Sequence, residues 1–242
     1  MSKKNIYLIV LGIITIFCIT FGIYRSSKQF MGKIKWSNGF HFDFDFDDDD
    51  DEIEEKNDYS EVLEKFDEIE IDSQILSIEI VNSKDYGAYA NFNKESLKPS
   101  LKIQNGKLYV SQNIKKGKTF GNNNASLRIT VPEDVELSNL YVNNNVGAVY
   151  LNKISVDKIK ISNNVGEISI KDCIFSKLTA DTNVGEIELN NSASYDDYEI
   201  RAKTDVGELN VLGKSYKHSY NQNGTDSKSI ELNTNVGEIS IK

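Results

Sequence analysis

The stretch ISVDKIKISNNVGEISIKDCIFSKLTADTNVGEIEL, residues 154–189, writes one unit twice. Asn164-Val165-Gly166-Glu167 returns 19 residues later as Asn183-Val184-Gly185-Glu186, and the apolar positions return with it. Ile154 and Val156, Ile159 and Ile161, Ile168 and Ile170 are answered by Cys173 and Phe175, Leu178 and Ala180, Ile187 and Leu189. One residue intervenes within each pair, the period of a strand that turns one face inward.

Three further corners of the same kind flank this stretch: Asn145-Val146-Gly147-Ala148, Asp205-Val206-Gly207-Glu208 and Asn235-Val236-Gly237-Glu238. Successive glycines are 19, 19, 22 and 30 residues apart. Strands this short cannot bury an inner face alone, but identical turns stacked on one another close a continuous core. The expected fold is therefore all β, a single three-sided β-solenoid of about 19 residues per coil, with coils hydrogen-bonded at roughly 4.8 Å. In this reading glycine supplies the backbone freedom of the corner, Asn or Asp forms a ladder of like residues, and Val drops inward. A hairpin meander is the rival geometry, but two-residue hairpin turns call for Asn-Gly or Asp-Gly, and here Val intervenes.

Residues 66–142 have the same strand character without the motif, as at Ile69–Ile71, Leu76–Ile80, Leu101–Ile103, Leu108–Val110 and Leu127–Val131. They read as earlier, irregular coils, which makes roughly nine coils and a rod on the order of 40 Å. Asn113–Asn124, Asn190–Asp197 and Gly213–Lys228 read as insertions that leave the stack as loops. Ile239 and Ile241 come last with no evident cap, an edge open to pairing with another copy.

The 242 residues carry 28 basic and 37 acidic side chains, a formal charge of −9. Residues 1–35 hold six of the basic ones and no acid, so the rest stands at 22 against 37, or −15. A body of that sign repels nucleic acid and anionic headgroups, so no nucleic-acid partner is expected. Asn5–Tyr24 has no charge and, as a helix, spans roughly 30 Å, enough to cross a bilayer. No small-residue cleavage pattern follows it, which favours an uncleaved single-pass anchor over a signal peptide. The flanks, Lys3 and Lys4 against Arg25, Lys28, Lys33 and Lys35, by themselves favour a cytoplasmic body.

Residues 25–65 form a basic, then acidic, linker: Phe40, Phe42, Phe44 and Phe46 alternate with polar residues, and ten carboxylates lie between Asp43 and Glu55 with no basic residue among them. Mutual repulsion keeps such a run extended, a spacer rather than a calcium loop, since the ordered ligand spacing and the loop glycine are missing. The domain plan is then a tail at 1–4, a transmembrane helix at 5–24, the linker, and the solenoid at 66–242.

Chemistry is sparse in this sequence. The two histidines, His41 and His218, fall in linker and insertion, which leaves no triad or zinc set. Cys18 and Cys173 are too far apart in the plan to pair, and Cys173 occupies a core slot. Lys158, Lys160, Lys177, Arg201 and Lys203 face outward on one side; Glu167, Glu186, Glu188, Glu208 and Glu238 do so on another. Glutamates stacked near 5 Å repel by roughly 0.8 kcal/mol per pair at water's dielectric, so the Glu167, Glu186, Glu208 and Glu238 ladder is the candidate for weak cation binding. Tyr216, His218 and Tyr220 form a candidate contact loop. No cofactor is implied.

Apolar strands, then Ser126-Leu127-Arg128-Ile129-Thr130-Val131-Pro132, then repeated Val-Gly-Glu-Ile corners resemble the putative adhesin family of bacterial envelope proteins over residues 66–242. The resemblance implies a β-solenoid behind an N-terminal anchor, displayed outside the membrane, with no catalytic residues to carry over. The function expected is a non-enzymatic cell-envelope module that binds a protein or glycan or serves as a scaffold. One alternative is an accessory component of an envelope-stress sensing system. The other is a polysaccharide-active β-helix enzyme, disfavoured because Arg128 and Arg201 are the only arginines beyond the membrane flank and neither sits in an acidic cluster.

Overall fold

A computed structural model describes residues 57–114 and 123–242. Met1–Asp51 and Glu52–Lys242 are separate units, and all that follows concerns the second. The expected anchor at 5–24, the carboxylate run and most of the Asn113–Asn124 insertion lie outside the described residues.

The described chain is strand almost throughout. Its first part runs β1 (Asn57–Val62), β2 (Glu68–Ile75), β3 (Ser77–Ser83), β4 (Gly87–Phe92), β5 (Ser100–Gln104), β6 (Lys107–Ser111) and β7 (Ala125–Pro132). The regular repeats give β8 (Glu136–Val146), β9 (Val149–Asn152), β10 (Ser155–Val165), β11 (Ile168–Lys171), β12 (Ile174–Val184) and β13 (Ile187–Asn190). The last part is β14 (Tyr198–Val206), β15 (Leu209–Val211), β16 (Lys214–Tyr216), β17 (Ser219–Gln222), β18 (Thr225–Val236) and β19 (Ile239–Ile241).

Each coil contributes one strand to each of two opposite sheets, a long one and a short one from β8 onward, so the stack has two sheets, of ten and nine strands, instead of three. The inward pairs expected on two separate strands share one. In β10, Val156 and then Ile159 and Ile161 are buried, and Asp157 between them drops out of the ladder to both neighbours, as do Ser138 and Ser176 in the coils beside it. That break absorbs the odd three-residue step between inward side chains, and the strand continues in the same sheet. The 19-residue register is otherwise as the repeat predicts: Ile159 pairs with Leu178 and Leu140, and Ile168 with Ile187 and Val149, all parallel.

The order of the coils departs from the sequence at both ends. In both sheets the stack reads β6/β7, β2/β3, β8/β9, β10/β11, β12/β13, β18/β19, β14/β15. Seven coils, not nine, span about 29 Å at the usual inter-strand spacing. The coil that comes last in the sequence is slotted between the two before it, so β19 pairs with β13 on one side and β15 on the other. Ile239 is 0% exposed and Ile241 1%, and the open edge expected there does not exist.

Antiparallel strands close the stack instead. β4 pairs with β7 and β1 with β4; β5 pairs with β6. At the other end β16 pairs with β15 and β17 with β14. The Gly213–Lys228 insertion is therefore capping strands, not a free loop, and β1 lies in what reads by charge as linker. The core runs the length of the stack; each of its buried Ile and Leu side chains contributes about 1.5–3 kcal/mol.

Candidate functional site

The corners stack in single file in the order Gly147, Gly166, Gly185, Gly237, Gly207. A Cβ on Gly166, which has φ +134°, would collide with the carbonyl oxygen of Gly147, and the contact recurs at each step. Hydrogen bonding passes through the bend without interruption: Gly166 N donates to Val184 O at 3.0 Å, and Ile168 N to Glu186 O at 2.8 Å. Valine at the corner points outward, contrary to expectation. Val165 is 36% exposed and Val206 60%. The chain leaves the ladder at Asn164, one residue before the valine, so the last inward position is Asn163.

That inward position carries a second ladder, which sequence reasoning missed: Ser73, Asn144, Asn163, Thr182, Thr234 and Thr204 are all buried. Its signal was a recurring Asn or Thr one residue before each corner Asn or Asp. Asn163 Nδ2 donates to Gly147 O at 2.8 Å, Thr204 Oγ1 to Gly237 O at 3.1 Å and Thr234 Oγ1 to Gly185 O at 3.3 Å. Asn144 Nδ2 donates to Asn163 Oδ1 at 3.2 Å, and Ser73 Oγ to Asn144 Oδ1 at 2.8 Å. Thr182 Oγ1 is buried without a partner. The expected outer ladder is present: Asn164 Nδ2 donates to Asn145 Oδ1, Asn183 to Asn164 and Asn235 to Asn183, at 2.8, 2.6 and 2.9 Å. Asp205 leaves the series and pairs with Lys203 at 2.8 Å.

Between these ladders and the next outward row lies a groove of about 490 Å³, walled by Asp72 and Gln74 of β2, Asn143 and Asn145 of β8, and the matching residues of β10 and β12. Every residue along it carries a carboxamide, hydroxyl or carboxylate side chain. Asn143 Nδ2 donates to Asp72 Oδ1 at 3.0 Å, and Asn233 Nδ2 to Asp181 Oδ1 at 2.8 Å. Tyr141, on the same face of β8 two residues before Asn143, is 38% exposed.

The register of the short strands places the glutamates in the order Glu167, Glu186, Glu238, Glu208. Partial desolvation, then the fields of Glu238, Glu167 and Glu188, hold the Glu186 carboxyl above the usual range. Relief comes from the protein's own side chains. Lys242 Nζ lies 2.6 Å from Glu188, Tyr150 Oη donates to Glu167 at 3.1 Å, and Asn210 Nδ2 to Glu238 at 3.1 Å. Among the described residues no three His, Cys, Asp or Glu side chains converge as a metal site. On the other sheet, Lys158 pairs with Asp157 at 3.7 Å and Arg201 with Glu199 at 2.5 Å, while Lys160 and Lys177 share the same outward face.

The candidate contact loop is part of the cap. Tyr216 of β16 and Tyr220 of β17 pack on the end of the core with their rings 4.8 Å apart; His218, between them, is exposed. Cys173 is buried as expected, and burial pushes its thiol up to about 11. Asn191 takes the place of the missing neighbour strand there: Cys173 N donates to its Oδ1 at 3.0 Å, and its Nδ2 donates to Cys173 O at 2.9 Å.

Among solved structures, a putative cell adhesion protein from Clostridium sporogenes ATCC 15579 is similar at 19% identity and a TM-score of 0.60, over 77% of this chain and 99% of that one. That likeness is one of fold. A putative adhesin from Bacteroides fragilis NCTC 9343 aligns over 77% of this chain and 97% of its own at 13% identity and a TM-score of 0.40. No curated protein is significantly similar in sequence. The sequence pattern of the Toastrack DUF4097 family matches residues 66–206, from the first buried aromatic, Phe66, to the corner of β14. The chain belongs to the Toastrack DUF4097 family.

Proposed function

We propose that this protein is a non-enzymatic, adhesin-like binding module of the cell envelope, held at the membrane by residues 5–24 and displayed on the extracytoplasmic side on its acidic spacer. The observation that carries this reading is the groove. Four successive coils line up like polar side chains along one continuous surface, on a stack whose ends are closed by antiparallel strands. Such a scaffold holds its surface groups in fixed register, which is what a binding face needs and a passive spacer does not. The similarity in fold to a putative cell adhesion protein supports the same reading.

Two measurements test it. Protease treatment of intact cells should cleave the spacer and release the stack, and protection until the cells are lysed would place the module on the wrong side. Cells displaying the full chain should be retained on a surface coated with cell-envelope material more strongly than cells of a deletion strain; equal retention would remove the binding role.

A further inference from the structure

We infer that the groove between the outer ladder and the next outward row is a binding subsite for a neutral, polyhydroxylated chain, a glycan strand lying along the coil axis with Tyr141 as a stacking platform beside it. This assignment rests on the reading of the protein as a binding module and supplies its ligand class.

Charge narrows the ligand first. The groove's own lining contains no basic side chain to pair with a phosphate, sulfate or carboxylate, which favours an uncharged ligand, although Lys160 stands in register with Tyr141 on the same outward face. Its two carboxylates, Asp72 and Asp181, already accept from Asn143 and Asn233, which leaves them as further hydrogen-bond acceptors in a largely uncharged wall, not as an open cation trap.

Hydrogen-bonding capacity narrows it further. A carboxamide offers two donors and two lone pairs, and each ladder bond between Asn145, Asn164 and Asn183 uses one N–H of the donor and one lone pair of the acceptor. What is left in each rung is a donor beside an acceptor, the complement of a hydroxyl.

Spacing supplies the last argument. The rungs repeat at roughly 4.8 Å, close to the rise per residue of an extended pyranose chain, so successive sugars would meet the same side chains at each coil. Tyr141 adds an exposed ring of the kind that stacks on the apolar face of a sugar, on the same face of β8 as Asn143 and Asn145.

The test is calorimetry on the full chain in lipid nanodiscs, with cellohexaose and chitohexaose as neutral probes and a hyaluronan hexasaccharide as the anionic one. The expected result is saturable binding of at least one neutral probe, stronger than that of the anionic probe, and weakened by about tenfold or more in Tyr141→Ala and in Asn183→Ala. The assignment is overturned if neither neutral probe binds, if the anionic probe binds better, or if binding is unchanged in both variants. Retention of whole cells separates the two failures: cells that adhere while both neutral probes are ignored refute the glycan assignment alone, and loss of both refutes the binding module as well.

Discussion

Between β8 and β13 the protein stacks coil upon coil in sequence order, whereas at each end of the stack that order is inverted. The two regions use the same strands and corners but face different problems. A middle coil has a neighbour on both sides, so its backbone groups and its share of the core are satisfied by translation alone. A coil at the end would expose a row of N–H and C=O groups and the flank of the core. The chain answers by slotting β2/β3 and β18/β19 one layer in, where they gain two neighbours, and by covering the outer coils with antiparallel strands. Repetition sets the register, and the departures from repetition make the stack finite.

The sharpest way to break this comparison is to delete residues 225–242. In the inverted order this strips β12 and β13 of one neighbour and removes the parallel partner of β14 and β15, so the cooperative thermal transition seen by circular dichroism should disappear. A stack built in sequence order would lose one end coil and keep its transition.

Two glycines of positive φ separate the middle from the end. Gly166→Ala places a Cβ against the Gly147 carbonyl oxygen in addition to backbone strain, and should cost about 3–5 kcal/mol in a denaturant titration. Gly213, with φ +77° in the turn before β16, has nothing near its missing Cβ, so Gly213→Ala should cost only the strain, about 1–2 kcal/mol. Equal effects would mean that the corners are not stacked.

Within the regular coils, Ile187→Ala should cost about 2–5 kcal/mol, because Ile187 is fully buried between Ile168 and Ile239. Val165→Ala should stay within about 0.5 kcal/mol, since the corner valine faces solvent.

The smallest effect concerns the acidic column. The Glu186 carboxyl is held above its ordinary 4.5, so the folded state binds that proton more tightly than the unfolded one. Stability from this group is therefore present at low pH and lost as pH rises from 4.5 through the folded value. Glu186→Gln should raise the melting temperature slightly at neutral pH and flatten its dependence across that window; an unchanged pH profile would show that the column does not interact.

The sequence made the coil legible because its signals are local: alternation around Ile159 and Ile161, the glycine of each corner, and the Asn145, Asn164 and Asn183 ladder. The order of coils was not, since β14 and β18 carry the same pattern of inward residues and either could follow β12. The 30 residues from Gly207 to Gly237 held the clue, a connection long enough to carry the chain back across a layer, but length alone does not distinguish a loop from the capping strands β16 and β17. β1 is hidden by its charges, Asp58 and Glu61, both exposed, which an edge strand tolerates. The groove was half visible. Its outer asparagines read as structure, and the buried ladder beneath them is missed because the sequence reading turns Val165, not Asn163, inward.

The inverted end is most directly tested by paired cysteines, with Cys18 and Cys173 replaced by alanine. Asp181 of β12 pairs with Asn233 of β18, while Lys203 of β14 pairs with Asn233 from the far side. Neighbouring strands bring Cα atoms within disulfide range, and strands two apart, at roughly 10 Å, do not. Under mild oxidation, Asp181→Cys with Asn233→Cys should form an intramolecular disulfide, and Asp181→Cys with Lys203→Cys should stay reduced. Cross-linking of the second pair in place of the first would contradict the account.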